Sequence, residues 1–116
     1  MSETFQHALS QRLREVAMAF PETTEGASCV NRAFKAAGKK NFLFLGEKDG
    51  RVKVMVKLVD GVPEAEALAA DHDITVGKAG WTTGWFDPDG APEEALVRWV
   101  GESFRLLAPK SLLKRL

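Results

Sequence analysis

The stretch Arg51-Val52-Lys53-Val54-Met55-Val56-Lys57-Leu58 carries the clearest secondary-structure signal in the chain, and the remainder is best read outward from it. Side chains alternate across a strand with a period of two. Val52, Val54, Val56 and Leu58 therefore share one face, while Arg51, Lys53, Met55 and Lys57 share the other. An apolar face needs a covering layer and a basic one is at home in water, so this strand predicts an antiparallel sheet with one buried side and one open side.

Upstream, Glu47-Lys48-Asp49-Gly50 ends in the Asp-Gly pair favoured by tight turns, and Asn41-Phe42-Leu43-Phe44-Leu45-Gly46 supplies the partner strand. The turn Ala37-Gly38-Lys39-Lys40 leads back to an earlier strand, in which Val30, Arg32, Phe34 and Ala36 alternate with Asn31, Ala33 and Lys35. Glu22-Thr23-Thr24-Glu25-Gly26 reads as loop. Before it, Phe5, Leu9, Leu13, Val16 and Phe20 form one stripe of a helix that stops at Phe20, because Pro21 disfavours helical geometry in the residue before it.

Downstream, Gly61-Val62-Pro63 breaks the pattern, and Glu64 to Asp71 reads as a short second helix with Ala65, Leu68 and Ala69 at helical spacing. Asp73 to Gly77 predicts a short strand, and Trp81-Thr82-Thr83-Gly84-Trp85-Phe86 a stronger one before the turn Asp87-Pro88-Asp89-Gly90. Pro92 opens a last helix with the stripe Leu96, Trp99/Val100, Ser103/Phe104 and Leu107, closed by Ala108-Pro109. The expected architecture is a single α+β domain over residues 1–116 with element order α-β-β-β-α-β-β-α. Its N- and C-terminal helices pack on one face of an antiparallel sheet, and residues 110–116 form a basic C-terminal tail.

Composition agrees with one domain. In 116 residues, sixteen Lys+Arg balance sixteen Asp+Glu, and 45% of residues are hydrophobic, which excludes disorder. A chain of this size buries roughly two-thirds of its unfolded surface, enough for a core without disulfides or a structural metal. Cys29 is the single cysteine and no Cys/His cluster occurs, so a disulfide scaffold and a zinc finger are excluded and a reducing cytoplasm is the expected location. Met1 to His7 lacks a signal-like basic region, and no apolar run approaches the ~20 residues of a membrane span, so no membrane association is expected.

The zero net charge is a cancellation. Residues 26–57 carry eight basic groups against Glu47 and Asp49, a balance of +6; residues 58–104 carry Lys78 and Arg98 against ten acids, a balance of −8; residues 105–116 add +4. Candidate phosphate contacts are the turn pair Lys39 and Lys40, the strand cations Arg51, Lys53 and Lys57, and the tail residues Lys110, Lys114 and Arg115. These suffice for weak, salt-dependent DNA binding, with Kd on the order of 10⁻⁴ to 10⁻⁶ M. A solvated face that uses lysines against aggregation accounts for the same residues. Trp81 and Trp85 fall on the opposite side of their strand from Phe86. They are candidates for stacking on bases, although the apolar area of tryptophan favours their burial.

Catalysis is not expected. The pieces for a nucleophile and base are Ser28, Cys29, His7 and His72, with no motif around them, and Gly77-Lys78-Ala79-Gly80 lacks the spacing of a phosphate loop. No cofactor or metal is implied. The acidic half, Asp60 to Glu102, suits a second function class: a protein- or ligand-interaction module with no nucleic-acid role, including a homodimer held by the antisymmetric charges.

Two sets of residues carry a family resemblance. Phe20-Pro21-Glu22-Thr23-Thr24-Glu25-Gly26, then Ala33-Phe34-Lys35 and Gly38-Lys39-Lys40-Asn41-Phe42, form the first. Gly80-Trp81-Thr82, Phe86-Asp87 and Ser103-Phe104-Arg105-Leu106-Leu107-Ala108-Pro109-Lys110 form the second. In this order they resemble the MmcQ/YjbR family across nearly the whole chain. The resemblance implies a CyaY-like (frataxin-like) α+β fold and a bacterial protein of a family described as DNA-binding. The positions that match are Gly38, Lys39, Trp81, Asp87, Phe104, Pro109 and Lys110, most of them architectural in character. Ala79 stands where many members have a histidine, and Asp60 to Lys78 matches poorly. The iron chemistry of frataxin is not expected, because the first helix has only Glu3 and Glu15 as acids, with Arg12 and Arg14 between them.

Overall fold

A computed structural model of the chain describes residues 5–28 and 31–116. Helix α1 (Ala8–Met18) is followed by strands β1 (Thr23–Ser28), β2 (Asn31–Ala36), β3 (Lys40–Lys48) and β4 (Arg51–Lys57). Helix α2 (Val62–Leu68), strands β5 (Asp73–Val76) and β6 (Trp81–Phe86), and helices α3 (Glu93–Leu107) and α4 (Lys110–Leu113) complete it. The six strands form one antiparallel sheet in the order β1-β2-β3-β4-β6-β5. The α+β class and the terminal helices on a single face agree with the sequence reading.

In its elements that reading differs most at the first strand. The segment expected to be loop, Glu22 to Gly26, mostly lies in β1, paired with β2 from Thr23 opposite Ala36 to Ser28 opposite Asn31. Its composition has no alternation to announce a strand; the backbone ladder and one inward-pointing acid hold it. Glu25 accepts from Arg14 Nε of α1 at 2.7 Å and from Arg32 Nε of β2 at 2.9 Å. A charged residue turned inward on a short edge strand is a recognised protection against edge-to-edge pairing. Two further differences are smaller: the tail holds a helical turn, α4, and Cys29 lies outside the described residues.

The core fills the space between the helices and one face of the sheet. Val52, Val54 and Val56 share one buried cluster with Phe34, Leu43, Leu45 and Phe86 of β2, β3 and β6 and with Leu9, Leu13, Leu96, Val100 and Phe104 of α1 and α3. A register shift between Phe34 and Lys35 inserts one extra residue in β3, so that Phe42 and Leu43 are both fully buried. Phe42 then meets Phe104 edge to face at 5.0 Å, and Phe104 stacks on Phe20 at 4.5 Å.

Buried and half-buried polar groups fix the helices over this core. Ser103, fully buried on α3, donates to the Phe42 carbonyl at 2.6 Å and accepts from the Lys57 amide at 3.0 Å, which ties α3 to the ends of β3 and β4. Glu47 of β3 caps α1 from outside the helix, accepting from the amides of Gln6 and His7 and from the Ser10 hydroxyl at 2.6 Å. Burial pushes its pKa up, but these hydrogen bonds and the nearby His7 outweigh that effect and leave it below the usual value. Glu102 caps α2 in the same way through the amides of Val59, Asp60 and Gly61. Glu64, paired with Arg98 and accepting from the Trp99 indole at 2.8 Å, is likewise held low. No helix among the described residues is long and apolar enough to cross a membrane.

Candidate nucleic-acid interface

With every helix among the described residues on one side, the alternate residues of each strand populate the other side. The register arranges them in rows across the sheet. One row contains Lys48 and Arg51; the next contains Gly46, Lys53, Trp85 and Asp73. A third contains Ala33, Phe44, Met55, Thr83 and Thr75. At the far end, Lys35 faces Asn41 and Lys57 faces Trp81. An apolar bar of Phe44 and Met55 is thus flanked on each side by a lysine and a tryptophan.

The orientation of β6 overturns the expected burial of the tryptophans. Phe86 is in the core, and Trp81 and Trp85 lie outward with intermediate exposure. The physical reason lies in β4, whose valines must face inward and whose register places Phe86 opposite Val52 and Gly84 opposite Val54. Gly84 leaves room for the Phe86 ring, which a Cβ at that position would strike. The tryptophan that the fold does bury is Trp99 of α3.

Each outward tryptophan has neighbours suited to a polyanion. Arg51 and Lys53 both lie 5.6 Å from the Trp85 ring centroid, within cation–π range. Trp81 packs against Phe44 at 6.2 Å and faces Lys57 across the β4–β6 ladder. Arg51 is also drawn toward Asp73 at 3.3 Å, whereas Lys53 and Lys57 form no ion pair among the described residues. Along the described strands the open face carries Lys35, Lys48, Arg51, Lys53 and Lys57 against one outward carboxylate, Asp73.

The remaining candidates are elsewhere. Lys40 pairs with the buried Ala36 and so belongs to the helix-facing side of the sheet, while Lys39 sits in the β2–β3 turn. Lys110 and Lys114 border α4, whose Leu112 is buried in the core, and Arg115 is paired with Glu22 at 2.7 Å. The strand cations and the tail therefore do not converge on one face. Sequence reading did not single out Lys35, Lys48, Phe44, Asn31 and Gly46. Carrying the period-two alternation across the hairpins from β4 to β3 and β2 would have found them, because register transmits one strand's facing to the next.

Of the residues considered for catalysis, His72 packs against the Phe86 ring at 5.8 Å, and the His7 amide serves the α1 cap. Among the described residues no group of three or more His, Cys, Asp or Glu side chains is placed to hold a metal ion. Compared with models of protein families, with curated proteins and with solved structures, the chain matches none, so the reading of this face rests on its own residues.

Proposed function

We propose that the chain is a non-enzymatic nucleic-acid-binding protein of the MmcQ/YjbR type, acting in the cytoplasm and engaging phosphates through the open face of its sheet. The observation that supports this reading is the joint presence of Lys53 and Lys57 with Trp85 and Trp81 on the sheet face that no helix among the described residues covers. Cations alone describe a solvated surface. Cations interleaved with outward aromatic rings offer both components of nucleic-acid affinity, charge neutralisation and a surface for bases. Compared with the sequence reading, which used the sheet face together with the turn pair and the tail, the proposal keeps the sheet face alone, with Lys35 and Lys48 joining Arg51, Lys53 and Lys57.

Fluorescence anisotropy with labelled DNA, single- and double-stranded, at two salt concentrations tests it. The expected result is binding that weakens as salt rises and is lost in the double variant Lys53→Glu, Lys57→Glu. Absence of binding at low salt, or binding indifferent to that variant, overturns it.

A further inference from the structure

The row that crosses the sheet at Trp85 is interrupted at Gly46. A Cβ there would fall on the Asn31 side-chain oxygen, so Asn31 of β2 leans over the glycine from one side while Lys53 and Trp85 stand on the other. Between them is a pocket of about 390 Å³ lined by Asn31, Gly46, Glu47, Lys48, Lys53 and Trp85. That volume lies within the range of roughly 300–1,000 Å³ typical of small-molecule sites. Glycine inside a strand weakens it, and a common reason for its presence is close approach by a ligand.

We propose that this pocket seats one unpaired base of a single-stranded nucleic acid, stacked on the Trp85 indole above Gly46, with the Asn31 amide at its edge and Lys48 and Lys53 on the flanking phosphates. The inference rests on the nucleic-acid reading above and adds to it the form of the ligand and a base subsite. Three observations carry it.

First, Trp81 and Trp85 are four residues apart on one strand, a distance of about 13 Å along its axis. Bases within a duplex strand succeed one another at about 3.4 Å and present their edges rather than their faces. Only a strand whose bases are splayed apart sets one on each indole. Second, the two sides of Trp85 differ in charge. The pocket on its β5 side is lined by Asp71, Asp73 and Asp87 against Arg51, which is paired with Asp73, whereas the Gly46 pocket is lined by Lys48 and Lys53 against Glu47, whose carboxylate is engaged by Gln6, His7 and Ser10; the balance of charge directs the ligand's path toward β3 and β2. Third, the cations over the ring are held there only weakly. An exposed cation–π contact is weak, so an arriving phosphate, which makes stronger charge-assisted contacts, draws Lys53 off the ring and opens a face to the base.

The test compares an eight-nucleotide single strand of mixed sequence with a hairpin duplex of the same composition, at low salt. The proteins are the wild-type chain, Trp85→Leu and Gly46→Ala, with thermal melts run alongside to confirm folding. The alanine at position 46 displaces only the end of the flexible Asn31 side chain, so it closes the subsite without disturbing backbone. Expected are single-strand affinity at least tenfold above that for the duplex, a loss of roughly 5- to 150-fold for Trp85→Leu, the range known for base–aromatic stacking, and a severalfold loss for Gly46→Ala. Duplex affinity equal to or above that for the single strand overturns the inference and leaves the nucleic-acid function standing. So does single-strand binding that neither variant changes. No binding of either form overturns both.

Discussion

The two faces of this sheet are built from the same strands by alternate residues, and they differ in what each residue contributes. On the covered face, Val52, Val54, Val56, Leu43, Leu45, Phe34 and Phe86 are buried against the helices and account for the fold. On the open face, Lys53, Met55, Lys57, Trp81 and Trp85 keep intermediate exposure and pack mainly on their cross-strand neighbours. Stability and the proposed recognition are therefore separated by the strand period. A substitution on one face should leave the property of the other nearly intact, because neighbouring positions along a strand point to opposite sides.

The most damaging test is Phe104→Ala. The ring is fully buried between Phe20 and Phe42, and its removal should cost about 3–5 kcal/mol in denaturant unfolding. Where the variant remains folded, its nucleic-acid affinity should be unchanged; a parallel loss of affinity would break the separation of the two faces.

Glu47→Gln should have the next largest effect, about 1–3 kcal/mol at neutral pH, because the Gln6 and His7 amides that lead into α1 and the Ser10 hydroxyl lose their charged acceptor. The pH dependence follows from the direction of its shift. The folded pKa lies below the unfolded value, so the carboxylate's contribution is fully present above the unfolded pKa and is lost as pH falls through the lowered folded pKa. Wild type and variant should therefore converge in stability under acid. A difference that persists unchanged below that range would assign the cap's effect to something other than the charge.

Lys53→Glu with Lys57→Glu should invert the pattern, abolishing binding while unfolding free energy stays within about 0.5 kcal/mol of wild type. The smallest effect is expected from Lys110→Ala with Lys114→Ala. These cations lie beside the helical layer, and neither melting temperature nor anisotropy should move beyond experimental scatter. A clear loss of affinity there would return the tail to the interface.

Much of this is legible in the sequence. The valine alternation of β4, the Asp-Gly turn, the stripe of α1 and the proline at the start of α3 are local patterns with one structural meaning, and each reappears within a few residues of its expected place. β1 was not legible, because Thr23 to Ser28 becomes a strand through its ladder to β2 and through Glu25's pairing with Arg14 and Arg32, which are distant or out of pattern in sequence. The site was half legible. Arg51, Lys53 and Lys57 follow from one strand alone, whereas Gly46, Asn31 and Lys48 acquire meaning only when β2, β3 and β6 are laid beside it in register.

The sequence by itself determined that β4 would bury its valines and that Trp81 and Trp85 would share a side opposite Phe86. It could not choose which side, because a tryptophan and a phenylalanine both suit a core and alternation is symmetric between them. Tertiary structure made that choice. Pairing with β4 committed Phe86 and Gly84 to the valine face, and the helices, held by Ser103, Glu47 and Glu102, covered that face alone. The zero net charge was resolved in the same way: folding assembled a basic, aromatic sheet surface from segments whose charges cancel along the chain.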